Sequence, residues 1–379
     1  MKKITMSQFQ KIAPIYIQAD KPIMLWGAPG IGKSGVVRGL AESTGSDLLD
    51  FRLLMRDAVD IHGLPKEENG RMSWALPAEV PLATDKVDNQ VIMFLDEIVA
   101  APVSTQTVAY QMLHERAIDS VKLNEKVRFI AAGNRETDGA VCNRMPSALA
   151  NRMAHFDISV DSEAWLSWGA KNGVHPFMLS YVEAKPDNLN QGDKDAKIYT
   201  TQKAFGTPRS WENTSCVVTE YMKGVDTITD GDINMIEDIA ASFMGSAIAT
   251  DLRAHMVVGS KLPKPMDILT GKVKNKKFAL HEQYFLSCGL LAQLGEIKTK
   301  MVNAGQKDTY HLDQKFSGYV DNLLNFAEEG FDVETRSAFV QRFVAPNWYG
   351  MQANPKSPVQ AKWFKSVFGG SGDNALMWD

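Results

Sequence analysis

Ile23-Met24-Leu25-Trp26-Gly27-Ala28-Pro29-Gly30-Ile31-Gly32-Lys33-Ser34 is the stretch from which the rest of the chain is read. A short apolar run opens into a glycine loop and ends on Lys-Ser, the G-x-x-x-x-G-K-S spacing of a phosphate-binding loop. Gly27, Gly30 and Gly32 let the backbone turn tightly and aim its N–H groups inward, where side chains would block them. A helix is predicted over about 33–44, with Val36, Val37 and Leu40 at helical spacing. Its positive dipole end points at the same spot. Lys33 is placed to reach the β- and γ-phosphates of a nucleotide, and the Ser34 hydroxyl to ligate Mg²⁺. Gly27, Ala28, Pro29, Gly30, Ile31, Gly32, Lys33 and Ser34 are therefore the candidate nucleotide-binding residues. A glycine turn before a surface lysine is the plainer reading, but it does not call for the strand predicted over 22–26 or for the helix that follows.

Two further apolar runs end in polar residues. Val91-Ile92-Met93-Phe94-Leu95-Asp96-Glu97 begins with five consecutive apolar residues, the pattern of a strand buried on both faces of a parallel sheet. Its two carboxylates fall at the strand end, where open α/β sheets bind ligands. Asp96 is the candidate Mg²⁺ ligand beside Ser34, and Glu97 the candidate general base that polarises an attacking water. Arg128-Phe129-Ile130-Ala131-Ala132-Gly133-Asn134-Arg135 is a second such strand. It ends on Asn134, which could orient that water; a turn asparagine after glycine is the plainer alternative.

Between and around these strands, residues 7–19 and 106–116 read as helices and Leu48–Leu54 as a strand. Residues 57–77, punctuated by glycine and proline, read as a hairpin or loop insertion. Its His62 reads as a hydrogen-bonding loop residue. Val121–Val127 reads as a hairpin. A short helix carrying Arg144 and Arg152 precedes a strand ending near Ile158. Trp165 and Trp168 fall on a following helix and read as core. Residues 184–205 read as an irregular linker. Gly206-Thr207-Pro208-Arg209-Ser210 then opens a helix with Arg209 in its first turn, where a cation opposes the dipole unless an anion lies nearby. Helices are expected from 211 to about 300 and again over 281–346, with a Lys- and Pro-rich connector at 261–277 and a loose tail from Gly369 to Asp373.

Composition bounds the function. The chain has 379 residues, 44% of them hydrophobic and 23% charged, which suits a globular protein of two or three domains. A net charge of −4 gives no reason to expect tight nonspecific binding to nucleic acid or acidic membranes. Cys142, Cys216 and Cys288 are widely spaced, neither a metal-ligand set nor an even disulfide set, so a reducing, cytoplasmic compartment is expected. The basic N-terminus lacks an apolar core, so no signal peptide is expected. No run of 18 apolar residues is present, so no membrane span is expected.

The order of these features resembles that of AAA+ ATPases, and in detail their MoxR branch, over roughly residues 20–270. In that pattern Gly27–Ser34 matches Walker A, Met93–Glu97 matches Walker B and Asn134 matches sensor 1. Arg152, within Ala148-Leu149-Ala150-Asn151-Arg152-Met153, matches the arginine finger, with Arg144 the competing candidate. Arg209 matches sensor 2, acting on its own or on a neighbour's nucleotide. Residues 57–77 resemble the helix-2 insert, which implies that Trp74 and Leu76 either touch a client at the pore or top surface of a ring or pack against their own domain. The resemblance implies an α/β AAA+ P-loop core with a central parallel sheet over 1–160, a connecting insert over 161–205 and a helical lid over 206–275, leaving a helical C-terminal extension over 276–379. It further implies a homo-oligomeric ring, expected to be a hexamer, that hydrolyses ATP with Mg²⁺. The work done would be remodelling or maturation of a client protein with a partner bearing a von Willebrand factor A domain. A nucleic-acid-dependent motor and a nucleotide-gated scaffold with little turnover are the alternatives.

Overall fold

The computed structural model describes residues 3–68, 70–138, 142–225, 227–273, 276–346 and 348–368; the tail expected to be loose at Gly369–Asp373 lies outside them. The described chain divides into two compact units. The first comprises 1–161, 190–203 and 207–209, and the second 162–189, 204–206 and 210–379.

The first unit runs β1 (Lys3–Thr5), α1 (Met6–Gln18), β2 (Ile23–Trp26), α2 (Lys33–Thr44), β3 (Asp47–Asp50), α3 (Ala58–His62), β4 (Leu64–Glu68), β5 (Arg71–Ala75), β6 (Val91–Leu95), α4 (Val103–Glu115), β7 (Ala117–Ile118), β8 (Val121–Lys122), β9 (Val127–Gly133), α5 (Ser147–Ala150) and β10 (Ala154–Ser159). Six of these strands form one sheet in the order β1-β10-β2-β9-β6-β3, and every adjacent pair is parallel. The sheet is covered on both faces, which explains the unbroken apolar runs. Met24, Met93, Leu95, Phe129 and Ala131 point into one core with residues of α4 and α5. Their neighbours Ile23, Leu25, Ile92, Phe94, Ile130 and Ala132 point into the other, with α1 and α2. Alternate residues of a strand face opposite ways, so a strand between two helical layers must be apolar at every position.

The strand expected over 48–54 stops at Asp50, and Leu53–Met55 turn into a 3₁₀ helix. Their apolar residues mimic a strand because Leu53 is buried in the same core. The hairpin expected at 121–127 is displaced toward the N-terminus, where β7 pairs with β8.

The second unit is helical. It contains α6 (Ser162–Lys171) and α7 (Pro176–Ala184). The short α8 (Ile198–Thr201) returns to the first unit, so residues 184–205 are not a bare linker. Then follow α9 (Pro208–Tyr221), whose first residues belong to the first unit, α10 (Asp230–Met244), α11 (Ser246–Gly259), α12 (Pro265–Leu269), α13 (Leu280–Asn303), α14 (Gln314–Gly330), α15 (Val333–Val344) and α16 (Pro358–Phe368). Trp165 is buried on α6, but Trp168 is 40% exposed, against the expectation of core, because three residues along a helix carry it toward the rim. Leu290, Leu294, Phe316, Leu323, Phe339, Phe343 and Trp363 centre the core of α12–α16. Arg342 pairs with buried Glu183 at 2.5 Å and lies 4.5 Å over the Trp348 ring, tying α15 to α7. Among the described residues no helix is long and apolar enough to cross a membrane.

Two histidines of this unit are held neutral. Burial lowers the pKa of His175 to about 4. Burial also lowers that of His255 to about 4, helped by nearby His281 and Lys185. Unfolded, each takes up its proton near pH 6.5, so between about pH 6.5 and 4 the unfolded chain holds more protons than the folded one. Stability therefore falls as pH drops through that window, by up to about 3 kcal/mol per histidine. Urea unfolding at pH 7 and pH 5 should show this loss, and His175→Gln with His255→Gln should flatten it. Equal slopes in the two proteins would place the acid sensitivity elsewhere.

Candidate nucleotide site

The loop from β2 to α2 is built by backbone conformations that glycine allows. Gly30 and Gly32 have φ of 79° and 102°. Gly32 is the N-cap of α2 and has no side chain to bond the first-turn amides, which leaves that end suited to an anion. Gly30 is also needed for space, since a Cβ there would lie 2.8 Å from Thr207 Oγ1. The Arg209 amide donates to Gly30 O at 3.1 Å, so the start of α9 is fastened to the loop within the first unit.

Lys33 turns back into this loop. Its ammonium donates to Gly27 O at 2.6 Å, Ala28 O at 3.0 Å and Asn134 Oδ1 at 2.8 Å. Burial lowers its pKa to about 8; Asp96 and Asp138 act against that shift, and Arg135 and Arg209 add to it. The side chains of Lys33 and Asn134, 101 positions apart, are thus brought together because β2 and β9 are adjacent in the sheet.

The carboxylates sit on the next strand. Ser34 Oγ donates to Asp96 Oδ2 at 3.0 Å. A hydroxyl and a carboxylate in contact are hard oxygen donors of the kind Mg²⁺ takes, so Ser34 and Asp96 fit the ion. Glu97 is exposed and has φ of 56°, the left-handed region, which costs a non-glycine residue about 1–3 kcal/mol. Two backbone bonds that follow it hold it there: Ile98 N–H donates to Ala132 O at 3.0 Å, and Ala100 N–H to Glu97 O at 2.9 Å. Gly133 lets this turn approach, for a Cβ there would lie 2.5 Å from Val99 Cγ2.

The arginines divide into two sets. Arg209 lies close enough to Lys33 to act on its charge, in its own chain. Arg152 stacks on the Tyr110 ring at 4.6 Å and donates to Ala148 O at 3.0 Å, while Arg144 is exposed. Both flank α5. Sequence reasoning gave no role to Arg135. Its side chain pairs with Asp157 within β10 and with Asp138 at 3.4 Å, and its amide donates to Asp138 Oδ2 at 2.8 Å. It clamps the strand end that carries Asn134. A cation directly after the strand-end asparagine was the signal available for it.

The insert over 57–77 contains α3 and the antiparallel pair β4–β5. His62 bonds Asp119 at 2.5 Å and lies 5.9 Å from the Trp74 ring. Leu76 packs on the sheet core. Trp74 and Leu76 thus spend part of their surface within their own unit; among the described residues of the insert the exposed large apolar ones are Val59, Leu64 and Met72, at 71–73%.

A glycine loop closing on a lysine, a Ser–Asp pair and an asparagine at the ends of parallel strands define a P-loop nucleotide-binding module of AAA+ fold. Residues 23–161 match the family model described as "ATPase family associated with various cellular activities (AAA)". Midasin from Giardia intestinalis is 25% identical over 195 residues; these are 48% of this chain, which spans only 4% of that protein's length. Among solved structures, a point mutant of RuvB from Thermotoga maritima is 13% identical with a TM-score of 0.35, covering 72% of this chain and 77% of that one. NtrX from Brucella abortus is 17% identical with a TM-score of 0.36, covering 90% of this chain and 68% of that one.

Lys33→Ala should abolish nucleotide binding while leaving thermal unfolding nearly unchanged; unaltered affinity by calorimetry would refute the site. In the intact protein a phosphate chain should restore the depressed Lys33 to its charged form. Binding near pH 8 should therefore take up part of a proton, seen as a dependence of binding enthalpy on buffer ionisation. Absence of uptake would mean that Lys33 is already fully charged in the free loop.

Proposed function

We propose that this chain is a Mg²⁺-dependent ATPase of the MoxR branch that works as a homo-oligomeric ring. The observation that carries the reading is the convergence of Lys33, Asn134, Ser34, Asp96 and Glu97 at the ends of three adjacent strands. Phosphoryl transfer to water asks a protein chiefly for positioning and for charge placed where the transition state needs it. Lys33 and the α2 amides hold the phosphate chain. Ser34 and Asp96 would hold Mg²⁺, which supplies positive charge against the phosphate oxygens. Glu97, exposed at the strand end, takes the proton of the attacking water, and Asn134 orients that water. To reach a triphosphate, Lys33 exchanges its bonds with Gly27 O and Ala28 O for phosphate oxygens. Arg209 adds charge from the same chain, and a neighbour's Arg152, or Arg144, completes the site.

The client is a protein remodelled or matured by the ring, with a von Willebrand factor A domain protein as partner. The exposed Leu64 and Met72 of the insert support contact with a client from this hairpin. Membrane insertion and nucleic-acid dependence are not part of the reading.

Glu97→Gln should bind ATP yet barely hydrolyse it, since Asp96 is intact and the base is gone. It should also hold the ring together and retain its client in a pull-down. Near-normal turnover would remove Glu97 from the role of base.

Arg152→Ala should bind ATP and hydrolyse it slowly, a finger being worth about 10³–10⁵ in rate. Mixed with Lys33→Ala, which offers a finger but no pocket, it should regain activity at interfaces that pair an intact pocket with an intact finger. The same recovery with Arg144→Ala, and not with Arg152→Ala, would move the finger to Arg144.

A further inference from the structure

Trp26 is the residue before the phosphate loop, and its indole donates to His155 Nδ1 at 2.9 Å. The two rings are nearly parallel, 17° apart, with centroids at 6.1 Å. An indole nitrogen can only donate, so Nδ1 carries the lone pair and the ring proton sits on Nε2. That proton points to Ala150 O at 2.7 Å. One neutral imidazole thus spans from the end of β2 to the last residue of α5.

The register makes this possible. His155 lies opposite Met24, and Asp157 opposite Trp26, so His155 and Trp26 share the sheet face on which α4 and α5 pack. Helix α5 has four residues, too few to fix its own position by internal bonds. An open depression of about 750 Å³, lined by Ser147, Ala148, Ala150, Asn151, Met153 and His155, leaves one side of it bare. Arg152 follows two residues after Ala150, its amide bonded to Leu149 O at 3.2 Å and its guanidinium to Ala148 O at 3.0 Å. Whatever places α5 therefore places Arg152.

We infer that His155 is a positioning residue that ties the phosphate loop of a subunit, through Trp26, to the arginine the same subunit offers to its neighbour. The inference rests on the ring reading with a finger in trans. His155→Gln would keep both bonds, since a glutamine oxygen can accept from Trp26 while its amide nitrogen donates to Ala150 O. His155→Phe keeps a planar ring of similar size and loses both, and Trp26→Phe removes the donor alone.

The test uses mixtures of full-length chains. Arg152→Ala supplies an intact pocket without a finger, and Lys33→Ala supplies a finger without a pocket. Their mixture gives the reference recovery of ATP hydrolysis. Adding His155→Phe to the Lys33→Ala chain should lower that recovery about tenfold to a hundredfold, the cost of a misplaced catalytic group. His155→Gln in the same chain should hold recovery within about threefold, and Trp26→Phe should lower it as His155→Phe does. In otherwise intact chains His155→Phe should lower kcat with nucleotide affinity and Tm little changed. Equal recovery with His155→Phe and with the reference overturns the inference, as does a loss that His155→Gln fails to rescue. If the reference mixture itself regains nothing, the finger in trans fails first, and this inference with it.

Discussion

The nucleotide site is organised around one partly buried cation. The Lys33 ammonium needs acceptors in a place where burial has taken water away, and it finds them in Gly27 O, Ala28 O and Asn134 Oδ1. Two of these exist only because the loop doubles back on glycines, and the third only because β9 lies beside β2. A polar group buried without partners costs more than a hydrogen bond returns, so loop conformation and strand order are specified together. Moving β9 by one place in the sheet would take away Asn134 Oδ1, the side-chain acceptor among the three.

The same constraint governs the strand ends. Parallel strands leave their C-terminal ends on one edge, and each of the three central ones delivers a different chemistry there: a glycine loop, a carboxylate pair and an amide. Glu97 takes a left-handed backbone that its side chain does not favour, and two neighbouring backbone bonds enforce it. Strain held at such a point is consistent with a residue whose exposure matters more than its local stability. Arg135 serves the arrangement from behind, pairing with Asp157 and Asp138 so that Asn134 ends a fixed strand.

The helical second unit is held by different means. Its core is aromatic and aliphatic, and among its polar groups Arg342 is paired with Glu183 while His175 and His255 are kept neutral. A buried ion pair contributes little net stability but is costly to break one-sidedly, so it fixes which helices meet.

The sequence by itself determined the phosphate loop, the buried parallel strands and their polar ends. Those signals are local: a glycine spacing, five apolar residues in a row, a carboxylate or an asparagine at the stop. They sufficed for the sheet class and for Lys33, Ser34, Asp96, Glu97 and Asn134 as a candidate set. Tertiary structure decided what lay beyond local pattern. Leu53 is buried as a strand residue would be, yet its backbone turns, because burial and backbone conformation are separate properties. Residues 190–203 carry no strong periodicity, and they join the first unit through packing that a linear reading does not see. Arg209 came to Gly30 of the phosphate loop from 179 positions away in the chain, and His155 beside Trp26 from 129, because such pairs are set by strand register and loop return. Sequence carries residue identity and local period; which distant polar groups must satisfy one another is settled only when the chain closes around them.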